Sequence, residues 1–351
     1  MIVSNIISWD TAPSSSMAAE AAESAEAVTR LIARQGAHIT GIAAELRRTP
    51  PAFALHAGRG SSDHAGVYGK YLIEQRLGIV AGAAGLSVGS VYRRPLAMQG
   101  AICIAVSQSG RSPDLLAMVD LARQCGARSL ALVNDAASPL AAPADALVPL
   151  EAGPERSVAA TKSFVASVAA FALLVAHWSE DEVLRLAIEA LPDALSDAWQ
   201  ADWSPLVEAL ADASSLFALG RGAGYAIARE AALKLKETSG LHAEAYSAAE
   251  VLHGPAALAG KGYPILAFAQ DDASLATTRD TLATLRDRGA RVFVAGTGID
   301  GTTMLPGPVV HPLLQPIVQI VGFYKAASIL APARGRDPDR PPHLAKVTET
   351  L

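Results

Sequence analysis

The sequence predicts an α/β protein made of two tandem, doubly wound parallel sheets with an N-terminal helical layer, and three observations carry that prediction. Short apolar runs alternate with helical stretches, Gly- and Ser-rich turns stand where one gives way to the other, and the two halves of the chain align with each other. "LHAGRGSSDHAGVYGKYLIE" from Leu55 aligns with "FALGRGAGYAIAREAALKLKE" from Phe217, placing Arg59 over Arg221 at a separation of 162 residues. "AVSQSGRSPDLLAMVDLARQCGARSLALV" from Ala105 aligns with "AFAQDDASLATTRDTLATLRDRGARVFVAG" from Ala267, with Gln108 over Gln270 at the same separation. One offset held over three strand-and-helix units marks an internal duplication.

The elements follow in order. "SMAAEAAESAEAVTRLIARQGAHITGIAAELRR" has long Ala-rich helical periodicity with Ser16 as candidate N-cap, so a helical layer is expected first. In the first half Phe53–Ala57, Ala101–Val106 and Ser129–Val133 read as strands, with helices beginning near Asp63 and Pro113 between them. Strands alternating with helices imply parallel pairing covered on both faces. The acidic, Trp-containing stretch "HWSEDEVLRLAIEALPDALSDAWQADWSP" is expected to join the halves as helices. The Pro- and charge-rich end, "ARGRDPDRPPHLAKVTETL", has little periodicity.

Composition narrows the function. The 351 residues are 51% hydrophobic, ample for a large core, and the 34 acids and 29 bases that give a net charge of −5 are mixed along the chain. No basic block gathers for a phosphodiester backbone, so nucleic acid is not an expected partner. The apolar run Phe164–Trp178 falls short of the ~20 residues that cross a bilayer and reads as a buried helix, and the start lacks a charged leader. Cytoplasmic location without a membrane partner is the expectation. Cys103 and Cys125 form no C-x-x-C pair and read as core filler, while the eight histidines show no H-x-x-H or H-E-x-x-H spacing, so neither a metal nor an organic cofactor is expected.

The apolar run ending at Val106 opens into Ser107, Gln108, Ser109 and, after Gly110 and Arg111, Ser112, just before a helix. In a parallel α/β sheet that junction is where anions bind, because N–H groups and the positive helix end converge there. Hydroxyls and an amide supply neutral donors to a phosphate oxygen. Gly60, Ser61 and Ser62 form a similar turn after the first strand. A plain capped turn is the alternative for either cluster. The duplication weighs against it, since the second half has Ala269, Gln270, Asp271 and Asp272 where the first has the serine loop. Two carboxylates there would repel a phosphate, so one monophosphate site, built by the first half, is expected. The P-loop and G-x-G-x-x-G patterns of nucleotide binding are absent, which points to a small ligand.

The second half carries "AREAALKLKETSGLHAEAYSAAEVLHGPAALA". Glu230, Lys234 and Glu237 share one helical face, and locally that spacing fits a solvated salt bridge. His242, Glu244, Glu250 and His253 follow closely, with His253 placed before a Gly254–Pro255 turn. A carboxylate, a lysine and a histidine are the equipment for moving protons at C1 and C2 of a sugar. Beside a monophosphate site they point to aldose-ketose chemistry on a sugar phosphate.

Taken together, "GSS", "SQSGRSPD", "SVAATKSF", "EAALKLKE", "HAEAYSAAEVLHGP" and "HLAKVTETL" resemble the sugar isomerase (SIS) family, most closely the isomerase part of glucosamine-6-phosphate synthase and the SIS-type glucosamine-6-phosphate deaminases. The resemblance spans about residues 35 to 351. It implies a phosphate site at Ser62, Ser107, Gln108, Ser109 and Ser112, a proton shuttle at Glu237 beside Lys234, and a ring-opening histidine at His253 supplied by the neighbouring subunit of a homodimer. It also implies sugar-lining positions at Glu155, Val158, Thr161, Glu230 and Ala345, and it matches Lys346 to a lysine that forms an imine with the ketose in the synthase. The implied division is 1–34 (tail and helix), 35–180 (first SIS domain, phosphate-binding), 181–200 (helical linker), 201–335 (second SIS domain, acid/base residues) and 336–351 (tail closing the site). These residues hold no amidotransferase segment with a nucleophilic cysteine near Met1, so glutamine-dependent synthesis is not expected of them. The reaction expected is deamination of glucosamine 6-phosphate to fructose 6-phosphate and ammonia, with the imine provided by the substrate's own nitrogen. For Lys346 that leaves closing the site or stabilising charge beside covalent catalysis. The alternatives are another amino sugar phosphate, such as galactosamine 6-phosphate or a fructosamine 6-phosphate, or a non-catalytic sugar-phosphate sensor.

Overall fold

The computed structural model describes residue 9 and residues 15–346, so most of the N-terminal leader reading and the last five residues of the terminal motif lie outside the described residues. In chain order the elements are α1 (Ser16–Ala22), α2 (Ser24–Arg48), β1 (Ala54–Ala57), α3 (Ser61–Leu77), β2 (Ala81–Ala83), β3 (Ile102–Ser107), α4 (Pro113–Gln124), β4 (Arg128–Val133), β5 (Ala146–Pro149), α5 (Lys162–Trp178), α6 (Glu182–Glu189), α7 (Leu191–Gln200), α8 (Ser204–Leu210), β6 (Ser215–Gly220), α9 (Ala223–Ser239), β7 (His242–Ser247), β8 (Pro264–Phe268), α10 (Leu275–Asp287), β9 (Arg291–Ala295), β10 (Thr303–Leu305) and α11 (Gln315–Ala333).

The chain forms two compact units that interleave along the sequence. Of the described residues, one gathers Ser24–Glu155, Lys162–Pro192, Ala345 and Lys346; the other gathers those up to Glu23, Arg156–Thr161 and Asp193–Leu344. The expected contiguous segments therefore exchange short pieces: α1 packs against α11 in the second unit, whereas α2 packs against α5 in the first.

In the first unit all strands are parallel, in the order β2-β1-β3-β4-β5. The central β3 is buried at all six positions, as expected for a strand covered on both faces. Met118, Val119 and Ala122 of α4 pack with Cys103, Ala105 and Ala131 on one side of that sheet. The second unit repeats the plan as β7-β6-β8-β9-β10, again parallel. The offset survives in three dimensions: α3 starts at Ser61 and α9 at Ala223, α4 at Pro113 and α10 at Leu275. Gly60 (φ 51°, ψ −126°) and Gly222 (φ 58°, ψ −132°) cap α3 and α9 in the same conformation, one open in practice only to glycine.

Two details differ from the expected layout. The N-cap of α1 is Ser15, whose Oγ accepts from the Ala18 N–H at 3.2 Å, and the first helical layer is broken at Glu23, whose N–H turns back to the Ala19 and Ala21 carbonyls. Among the described residues the helix long and apolar enough to span a membrane is α11, which the sequence reading did not consider, and 83% of the relevant stretch is buried in protein; α5, over the run at Phe164, is shorter and buried as expected. The polar groups of α11 are used inside the fold: Gln319 Nε2 donates to the carbonyls of Ala269 (2.6 Å) and Ala295 (3.0 Å), stitching β8 and β9. That is a core helix.

Candidate active site

The serine loop begins where β3 ends. Ser107 is buried, and its Oγ accepts from the Gly110 N–H at 2.9 Å, which curls the loop back on itself. Gly110 takes φ 62°, and a Cβ there would stand 2.1 Å from Ser138 Oγ, so glycine alone fits. Gln108, Ser109 and Ser112 remain half-buried at the start of α4. Ser112 is the N-cap, yet its hydroxyl makes no capping bond, and Pro113 follows with no N–H to satisfy. Ser62 lies in the first turn of α3, its N–H held by the Arg59 carbonyl at 3.0 Å. All five expected phosphate ligands thus belong to one unit and to the C-terminal ends of two adjacent strands, β1 and β3.

A pair that the sequence reading did not single out joins the two turns. The Arg59 Nε donates to Asp114 Oδ2 at 2.7 Å and its Nη2 donates to the same oxygen, while Asp114 Oδ1 accepts from the Leu115 N–H at 2.8 Å. Asp114 is fully buried; the Arg59 side chain keeps 55% of its surface exposed.

The matching turn of the second unit is closed by its own side chains. Asp272 Oδ1 accepts from Ser274 N (2.8 Å) and Ser274 Oγ (2.5 Å), and buried Gln270 donates to Asp272 Oδ2 (3.2 Å) and to the Arg221 carbonyl (2.7 Å). A carboxylate of the chain stands where an incoming anion would meet the start of α10.

The Glu230–Lys234–Glu237 group, expected to carry the acid/base chemistry, belongs to this second unit and is not the solvated face that its spacing allows. On α9, Lys234 is 1% exposed and its Nζ lies 2.5 Å from Glu237 Oε2 and 3.4 Å from Glu230 Oε1. Glu230 is fully buried and accepts from Tyr324 Oη of α11 at 3.2 Å. Glu237 is the member of the trio with side-chain exposure, at 19%. Ala231, Ala232 and Leu235 are buried around them, so the helix is covered on nearly every side. Nearby Lys236 donates to the Ala243 carbonyl at 3.0 Å, and burial lowers its pKa from the ordinary lysine value.

His253 ends a short 3-10 turn after β7 and is exposed, as are Glu250 and Leu252; Gly254 follows at φ 141°. The structure shows the histidine at the surface rather than packed in the core.

Glu155 and Lys346, distant in sequence, meet in the first unit. The buried Glu155 carboxylate accepts from Ser163 N (3.1 Å) and Ser163 Oγ (2.6 Å) at the start of α5 and from Lys346 Nζ (3.2 Å). Ala345 is exposed beside the lysine. Val158 is half-buried and Thr161 fully buried, both in the short Arg156–Thr161 piece of the second unit. That piece is held by Glu20 of α1, which accepts from Arg156 N at 2.5 Å and Ser157 N at 3.1 Å.

The SIS domain family model matches residues 54–177 and 209–304, the two sheet-bearing regions. The chain belongs to the SIS family. Among curated relatives, the glutamine-fructose-6-phosphate aminotransferase (isomerizing) of Symbiobacterium thermophilum is 38% identical over 307 residues, covering 82% of this SIS chain and 50% of the relative. The chain spans about half the length of the curated relatives it matches. Among solved structures, a provisionally assigned phosphosugar isomerase from Silicibacter pomeroyi DSS-3 is 44% identical with a TM-score of 0.89, covering 93% of this chain and 100% of that one. The C-terminal domain of glucosamine-fructose-6-phosphate aminotransferase from Francisella tularensis is 27% identical with a TM-score of 0.84, covering 93% and 98%.

Of the site groups in this SIS chain, Tyr324 and the Arg59–Asp114 pair escaped sequence reasoning. Only for Arg59 was a signal available, its alignment with Arg221 in the repeat.

Proposed function

We propose that this chain is a sugar-phosphate isomerase that deaminates glucosamine 6-phosphate to fructose 6-phosphate and ammonia. The observation that carries the reading is the buried Glu230–Lys234–Glu237 trio, an ammonium held between two carboxylates, one of which reaches the surface. Such an arrangement exceeds what a helix salt bridge needs and orients one carboxylate oxygen for proton transfer.

In the proposed sequence the substrate phosphate sits on Ser62, Ser107, Gln108, Ser109 and Ser112, and His253 moves the proton that opens the ring. Glu237 then takes the C2 proton, giving a 2-amino-enol, and returns it to C1. The product is a C2 imine; water adds to it, and the C–N bond breaks to release ammonia and the ketose. Isomerisation and deamination share the same proton shuttle, and the nitrogen leaves because it began on C2. Glu155, Val158, Thr161, Glu230 and Ala345 would line or support the sugar, and Lys346 would add charge. The exposed position of His253, beside exposed Leu252 and Leu258, supports a homodimer in which the histidine serves the partner's site.

The test is to incubate the purified chain with glucosamine 6-phosphate, and separately with galactosamine 6-phosphate, and follow ammonia and ketose phosphate together without glutamine. Equal release of both from glucosamine 6-phosphate is expected. Preference for the galacto sugar would move the substrate, and tight binding without turnover would replace the enzyme by a sensor.

A further inference from the structure

The serine loop offers neutral donors, yet a sugar phosphate near neutral pH carries close to two negative charges. Two arginines stand at this loop: Arg111 within it, paired with the half-exposed Asp135 at 2.9 Å, and Arg59, whose fully buried partner Asp114 ties the loop to the neighbouring turn. Arg59 leaves the turn between β1 and α3 three residues before Ser62 and reaches the first turn of α4 two residues after Ser112. Its Nε and Nη2 are spent on one oxygen of Asp114; the guanidinium has five N–H groups, and 55% of the side chain stays exposed. A fixed fork with donors to spare is the geometry that recognises phosphate oxygens.

The bland account makes Arg59 the counter-ion of a buried acid and nothing more. The duplication argues otherwise. At the positions 162 residues on, Arg221 stands for Arg59 but Ala276 stands for Asp114, and α10 begins there without an acid in its first turn. The turn geometry therefore does not require Asp114. The buried acid that pins the arginine occurs in the unit with the serine loop and is absent from the unit whose turn is closed by Asp272.

We propose that Arg59, held in place by Asp114, is a phosphate-binding residue of this site and selects for a dianionic substrate end. The inference rests on the monophosphate site under Proposed function. Its step is binding only, with no bond made or broken.

The test measures binding of inorganic phosphate by calorimetry to the wild-type chain, Arg59→Gln, Arg59→Lys and the double variant Arg59→Gln/Asp114→Asn, with thermal unfolding to confirm the fold. Arg59→Gln should weaken phosphate binding about tenfold, the size of one lost charge-assisted contact. The double variant, which removes the acid that needed neutralising, should stay equally weak, and Arg59→Lys should fall between. With glucosamine 6-phosphate the loss should fall on KM more than on kcat. Recovery of wild-type phosphate affinity in the double variant, or no loss in Arg59→Gln, would overturn the proposal alone. A wild-type chain that binds no phosphate would overturn it together with the reading on which it rests.

Discussion

Lys234 Nζ stands 2.5 Å from Glu237 Oε2 and 3.4 Å from Glu230 Oε1, with the lysine and Glu230 both inaccessible to solvent. Removing the ammonium leaves buried carboxylate behind it. Lys234→Met should therefore cost about 3–5 kcal/mol of stability, the usual penalty for breaking a buried ion pair from one side. Glu237→Gln keeps the Lys234–Glu230 contact and should fold well, yet lose turnover by about 10²–10⁴-fold while still binding substrate. Denaturant unfolding and steady-state rates on the two variants separate these effects. Turnover within tenfold of wild type in Glu237→Gln would remove it as the proton shuttle.

The two matching turns should respond in opposite ways. Gly110→Ala forces a positive φ on an L residue and drives its Cβ to within 2.1 Å of Ser138 Oγ, so the serine loop must move. A loss of roughly 1–3 kcal/mol, with weakened phosphate binding, is expected. Asp272→Ala removes the acceptor of the Ser274 N–H at the start of α10 and should cost about 1 kcal/mol with phosphate binding unchanged. Calorimetric titration with phosphate distinguishes them. Equal loss of phosphate affinity in both would contradict a single anion site.

What the sequence made legible is what repeats or alternates. The 162-residue offset located both sheets, and the starts of α3 and α9, and of α4 and α10, obey it to the residue. The serine loop was legible because turn chemistry is local. Contacts between distant residues were not: Tyr324 reaches Glu230 from a helix 94 residues away, and nothing in the spacing of either announces it. The Glu230–Lys234–Glu237 spacing fits an exposed face and a buried one equally well, and only the packing of α11 on α9 decides between them. The interleaving of α1 with the second unit was hidden for the same reason, since Asp339 caps α1 at the Ser16 and Met17 N–H groups from the far end of the chain.

The Lys346–Glu155 contact bears on the lysine's part in the reaction. Glu155 is buried and its carboxylate already holds Ser163 at the head of α5, so Lys346 completes a charge pair there at 3.2 Å. An ammonium kept for charge should be replaceable by another cation. Lys346→Arg is expected to retain activity within about tenfold and Lys346→Met to lose more, with borohydride failing to trap an adduct of fructose 6-phosphate. A trapped adduct on Lys346, with Lys346→Arg inactive, would assign it a covalent step instead.

Acid should loosen the outer edge of the first sheet before the rest. Asp145 precedes β5 and accepts from Ser129 N and Ser129 Oγ, each at 2.8 Å, while its own N–H donates to Ser129 Oγ at 2.9 Å, fastening β5 to β4. Burial alone would raise the Asp145 carboxyl, but the Ser129 hydrogen bonds and the Arg123 guanidinium outweigh it and hold the group below the ordinary aspartate value. A depressed folded-state pKa means that the unfolded chain takes up the proton first as pH falls. The stabilisation is thus complete above the unfolded value of about 3.9 and is lost as pH drops through the lower folded value. The side chain is half-exposed, so the effect is modest: Asp145→Asn should cost about 1 kcal/mol at pH 7 and flatten the decline in urea midpoint on acidification. Hydrogen exchange should show β5 opening first at low pH in the wild type. An unchanged acid limb in Asp145→Asn would mean that another carboxylate governs that edge.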